Sequence, residues 1–112
     1  MLHFQKLDVC QRSIEFLVLA HRVRGQLPRG HADLADQVRR AASIPQNIAE
    51  GCGRTTRADK AKHYTIARGS AMESASHLDV MRVDELIEPE LYARGIEVLE
   101  RIVAMLTKLT SL

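Results

Sequence analysis

The chain has 112 residues, enough for one small domain over residues 1–112. Hydrophobic residues make up 46 %, but there are only two Phe, two Tyr and no Trp, so the core is aliphatic and strand-rich folds are disfavoured. A net charge of +2 is too small to imply a nucleic-acid partner, and no run approaches the roughly 18 apolar residues of a membrane span.

Charge is unevenly placed. Residues 1–68 carry 12 basic and 6 acidic side chains, and residues 69–112 carry 4 basic and 8 acidic. Such a split either makes a basic patch or is neutralised when the halves pack together. Cys10 and Cys52 form no Cys-x-x-Cys pair, and the N-terminal residues lack the pattern of a secretory signal. A cytoplasmic setting with two free thiols is expected.

Turn residues divide the chain into four segments of helical period: Lys6 to Arg24, Asp33 to Glu50, Arg57 to Leu86 and Pro89 to Leu109. In the first, Leu7, Ile14, Leu17 and Val18 share one face, and Val9, Phe16, Ala20 and Val23 lie roughly opposite. A helix apolar on both sides is buried on both sides, so a second subunit is expected against it. His21 continues the stripe and reads as a packing histidine.

The second segment has the stripe Leu34, Val38, Ala41, Ala42, Pro45, Ala49 and Cys52. Pro45 removes the hydrogen bond to the Ala41 carbonyl and predicts a kink. The third begins with Thr56 as N-cap and Asp59 three residues on. Its stripe is Tyr64, Ala67, Ala71, Ala75, Leu78 and Leu86, whose alanines imply a close neighbour. In the fourth, Tyr92, Ile96, Leu99, Ile102, Val103, Leu106 and Leu109 form one side. Leu91, Val98, Met105 and Leu112 form a second. Four amphipathic helices with short connections predict an all-α, up-down-up-down antiparallel four-helix bundle.

Two polar signatures lie off these stripes. One is Ser43-Ile44-Pro45-Gln46-Asn47-Ile48-Ala49-Glu50-Gly51 with Arg54; the other is Ile66-Ala67-Arg68-Gly69-Ser70 with Glu73. On a helical wheel Ser43, Asn47, Glu50 and Arg54 cluster opposite Leu34, with Arg39 and Arg40 beside them. Gly69, Ser70, Glu73 and His77 lie opposite Tyr64, among the apolar Ile66 and Val80. β-branched residues amid charges, and a glycine that costs a helix about 1 kcal/mol, favour a subunit interface over free surface. Glu50 is expected to pair with Arg54 or with an arginine across the contact. The assembly set is Ser43, Pro45, Asn47, Glu50, Gly51, Arg54, Ile66, Gly69, Ser70 and Glu73.

These motifs resemble the four-helix-bundle proteins of the 23S rRNA intervening-sequence family, which includes the accessory variability determinant of diversity-generating retroelements. The resemblance covers nearly the whole chain. It implies a cytosolic bundle assembled as a ring of five. It also implies that some relatives bind nucleic acid beside a reverse transcriptase. Lys60 and His63 stand where the family pattern has aromatic residues, and Ser74 where leucine is common.

The chemistry of catalysis is sparse. There is no His-Glu-x-x-His, phosphate loop, dinucleotide fingerprint or zinc-type cysteine array. Glu73 and His77 have the wrong spacing for a di-iron Glu-x-x-His pair. The expectation is a non-enzymatic homo-oligomeric scaffold or adaptor, without cofactor, metal or membrane partner. The second reading is sequence-independent RNA or DNA binding beside a nucleic-acid enzyme, through Arg39, Arg40, Arg54, Arg57, Lys60 and Lys62.

Overall fold

A computed structural model describes residues 1–111, so Leu112, expected on the second side of the last helix, lies outside the described residues. Every regular element among them is helical. A 3-10 turn at His3–Lys6 leads into α1 (Asp8–Gln26). α2 (Ala32–Arg39) joins α3 (Ser43–Cys52) through a second 3-10 turn, Arg40–Ala42. α4 (Arg57–Val83) and α5 (Pro89–Thr110) follow. The α2–α3 unit acts as one bent rod, so four rods build the chain. α4, at 27 residues, is about 40 Å long at 1.5 Å per residue, and sets the long dimension of a 44 × 22 × 21 Å body.

The rods form a square. α1 packs on the α2–α3 rod and on α5, and α4 does the same; α1 stands diagonally across from α4, and α3 from α5. Direction follows from the pairs that meet. Asp79 bonds Tyr92 and Arg68 bonds Thr107, so α4 and α5 run oppositely. Asn47 faces His63 and Arg40 faces Glu73, so the second rod and α4 do too.

The second rod departs from the expected single kinked helix. Its break is the turn Arg40–Ala42, which contains the carbonyl that Pro45 leaves without a partner. Pro45 itself is the third residue of α3, where a missing N–H costs little. Three residues at 120° in place of 100° advance the helix by about 60°. The buried series therefore runs Val38, Ala41, Ile44, Ile48 and Gly51, while Ala42, Pro45, Ala49 and Cys52 are only half-buried.

α4 starts as expected, with the Thr56 hydroxyl accepting from the Asp59 N–H at 3.1 Å. It ends three residues before Leu86. Glu85 takes a left-handed conformation (φ 58°), the Glu85 N–H reaches the Arg82 carbonyl, and the Leu86 N–H reaches that of Met81 at 2.8 Å. This is a Schellman stop without its usual glycine. α5 opens with Pro89 in its first position.

The core is aliphatic. Ile44, Ile48, Met81, Val98, Ile102 and Leu106 are fully buried, each contributing about 1.5–3 kcal/mol. Val98 belongs to the expected second side of α5, and α5 absorbs that side because it packs on two rods. On α1, Val9, Phe16, Ala20 and Val23 face inward, whereas Ile14 and Val18 are 48 % and 57 % exposed. His21 is exposed, not packed, because its position falls on the outward side of α1.

Candidate functional site

The two signatures meet where the second rod crosses α4. Arg39 ends α2, Arg40 opens the turn and Ser43 begins α3, and Ser70, Glu73 and His77 come from the middle of α4. Together they line an open cleft of about 440 Å³. Antiparallel packing creates it, by placing residue 40 opposite residue 73. Glu73 Oε1 lies 3.8 Å from both an Arg40 guanidinium nitrogen and His77 Nε2. At that separation, and with Glu73 half exposed, these are loose attractions of little net worth. Two basic and two acidic side chains (Arg39, Arg40, Asp36, Glu73) leave the cleft without a dominant sign.

The rest of the first signature lies further along α3. The Asn47 amide donates to the Ser43 carbonyl at 2.8 Å, and its oxygen lies 3.5 Å from His63 Nδ1. Glu50 and Arg54, just past the end of α3, pair at 2.6 Å, the within-chain alternative of the two anticipated. Pro45 is half-buried against the groove between α1 and α3. Gly51 has a packing role within the chain. It is buried, and a Cβ there would lie 2.6 Å from Tyr64 Cε1. The glycine lets the Tyr64 ring close over the end of α3.

The second signature presents the opposite picture. A Cβ on Gly69 would meet nothing within 4 Å, so no contact within the chain requires a glycine there. Ile66 and Val80 are 44 % and 47 % exposed, and Met72 and Val83 join them on the outer surface of α4. Ser70 and His77 are half-buried on the cleft side, and Glu73 is exposed between.

The proposed basic surface is smaller than its sequence. Lys60 Nζ donates to the carbonyls of Gly51 and Cys52, at 3.3 and 3.2 Å. It caps the C-terminus of α3, where the helix dipole favours a cation, and is a structural residue in place of a free contact. Arg54 is occupied by Glu50, and Arg39 lies 3.7 Å from Asp36. Arg57 and Lys62 are exposed and make no ion pair among the described residues. Arg39 and Arg40 sit at the bend of the second rod, at the far end of α3 from Arg54, so the six cations do not form one patch.

Burial pushes the Cys10 thiol up, with nearby Cys52 adding to the effect. The Tyr64 phenol is pushed well above its ordinary range by burial first and then by Cys52, whose sulfur lies 3.5 Å from its oxygen. No group of three His, Cys, Asp or Glu side chains among the described residues is arranged to hold a metal.

Two features had no clear sequence signal. Gly95 on α5 is buried with Leu78 Cδ1 2.8 Å from where its Cβ would be, so it too is a close-packing glycine. Glu15 on α1 lies between Arg12, at 2.8 Å, and Arg94 on α5. This three-charge clasp joins residues far apart in the chain, and only the α1–α5 pairing brings them together.

Comparison with known proteins agrees with the helical architecture. A family model described as 23S rRNA-intervening sequence protein matches residues 5–108. A solved structure from Bacteroides thetaiotaomicron is similar at 25 % identity and a TM-score of 0.84, covering 93 % of this chain and 99 % of that one. It is described as a protein of unknown function from the S23 ribosomal protein family. No curated protein matches the chain. With nearly its whole length matched, this chain belongs to the 23S rRNA-intervening sequence protein family.

Proposed function

We propose that this chain is a non-enzymatic scaffold or adaptor that works in the cytoplasm as a homo-oligomer, a ring of five up-down-up-down bundles. The observation that carries this reading is the exposed apolar surface. Ile14, Val18, Ile66, Met72, Val80 and Val83 are all at least 44 % exposed in a chain of 112 residues. Patches of this kind on a small soluble body mark interaction sites. The unexplained helical glycine, Gly69, lies within one of them. Ser70 and Glu73 border that patch and would set orientation. The absence of cofactor and membrane partners belongs to the same reading.

Light scattering on an Ile66→Glu, Val80→Glu double variant tests it. The expected result is a smaller mass with unchanged helical circular dichroism. A wild-type mass would remove this surface from the assembly.

The second reading is sequence-independent binding of RNA or DNA. It is favoured by Arg57 and Lys62, which are exposed and make no ion pair among the described residues. A ring would repeat them and add weak phosphate contacts. Fluorescence anisotropy with a labelled RNA at rising salt tests it: binding lost steeply with salt supports the reading, and no binding at low salt refutes it.

A further inference from the structure

We infer that the cleft between the second rod and α4 is a binding site for a free α-amino acid with a small, hydroxyl-bearing side chain, held as its zwitterion. The inference goes beyond the assembly reading and does not depend on it.

The argument starts at Ser74. This residue is only 8 % exposed and lines the cleft. Its hydroxyl makes no hydrogen bond among the described residues. Ser13, the other buried serine, shows the contrast: its hydroxyl donates to the Cys10 carbonyl at 2.7 Å. The Ser74 hydroxyl is therefore an open donor and acceptor on the cleft floor. Below it, a cavity of about 10 Å³ shares Ser74 and His77 with the cleft and is walled by Phe16, Val38, Leu78 and Met81. That is room for one group of water size. The floor thus suits a short side chain ending in a hydroxyl.

Charge selects the rest of the ligand. Arg40 on one wall and Glu73 on the other stand 3.8 Å apart. A closed charge-assisted hydrogen bond is about 2.7–2.9 Å, so neither group is fully used by the other. A ligand carboxylate against Arg40 and a ligand ammonium against Glu73 would engage both at closer range. The short gap asks for those two charges to be close together, as where they share one carbon. Arg39 and Asp36, also lining the cleft, lie 3.7 Å from each other and cancel. With the walls balanced, a ligand of zero net charge is favoured. An anion alone would meet Glu73, and a cation alone would meet Arg40. The cleft volume, about 440 Å³, falls within the roughly 300–1,000 Å³ of small-molecule sites.

Isothermal titration calorimetry of the full chain with L-serine, L-alanine, acetate and methylammonium tests the inference. L-serine is expected to bind saturably, and L-alanine about fivefold more weakly for want of one hydrogen bond. Acetate and methylammonium should give no saturable heat. Ser74→Ala should lower L-serine affinity by about the same fivefold and leave L-alanine unchanged. Glu73→Gln should weaken both amino acids, and because Glu73 is half exposed the helical circular dichroism should persist. Arg40→Gln carries the same expectation and replaces Glu73→Gln if that variant loses its helical signal. No saturable heat from L-serine overturns the site. Acetate binding as well as L-serine overturns the zwitterion, and so does undiminished binding of both amino acids to Glu73→Gln. Undiminished L-serine binding to Ser74→Ala overturns the role of the floor.

Discussion

Alanine at Gly51 and alanine at Gly69 are the same chemical change in two helices, and the structure expects opposite signs. In an exposed helix, glycine to alanine gains about 1 kcal/mol. At Gly69 nothing lies within 4 Å of the new Cβ, so the isolated fold should gain that amount. At Gly51 the Cβ would lie 2.6 and 2.9 Å from two Tyr64 ring carbons. Restoring van der Waals contact moves the ring by about 1 Å, given an optimum near 3.5–4.0 Å. Tyr64 is buried and its hydroxyl is held near Cys52, so the ring cannot simply swing into solvent. Overpacking of this kind costs about 1–3 kcal/mol. Set against the propensity gain, Gly51→Ala should lose about 1 kcal/mol. Tm should fall by about 4 °C for a domain of this size. Urea and thermal unfolding, followed by circular dichroism at one protein concentration, measure both variants. Equal stabilisation at the two sites would refute the claim that Gly51 is a packing glycine.

Four other outcomes are expected. Glu85→Gly should raise stability by about 0.5–1 kcal/mol in urea unfolding, by relieving the left-handed residue at the end of α4. Glu15→Ala should cost about 0.5–1 kcal/mol in the same assay, because Arg12 and Arg94 lose their shared carboxylate but keep Asp8 and Glu97. Lys60→Met should lower Tm with no change in RNA anisotropy, since Lys60 caps α3. For pH, the Tyr64 phenol is pushed up on folding, so its neutral form is favoured in the folded state. That contribution is complete below the unfolded phenol value near 10 and is lost as pH rises above it. Stability of wild type should fall from about pH 8.5 upward through Cys10 and further above about pH 10 through Tyr64, and Tyr64→Phe should flatten only the second part in a chemical denaturation series.

The four rods and their inward faces were legible because apolar residues recur with the helical period. Val9, Phe16, Ala20 and Val23 illustrate it, and so do Leu99, Ile102 and Leu106. The register of α3 was not. A proline announces a missing hydrogen bond, but the chain absorbed it as a 3-10 turn upstream, and that turn shifted the core from Pro45 and Ala49 to Ile44 and Ile48. The end of α4 was also obscure, because Glu85 occupies a conformation usually advertised by glycine.

The candidate site divides in the same way. Outward placement of Glu50, Arg54, Glu73, Ile66 and Val80 followed from periodicity alone. The roles of Gly51 and Lys60 did not. Both depend on what α4 places beside the end of α3, which only tertiary packing decides. Glycine at Gly51 and at Gly69 looks identical in the sequence, and only one of them has a neighbour in the chain.

Self-assembly is the central claim, and native mass spectrometry of the wild-type chain over a range of concentrations tests it most directly. One dominant species of about 63 kDa is expected, five times the 12.6 kDa chain mass. A 12.6 kDa monomer at every concentration would contradict it.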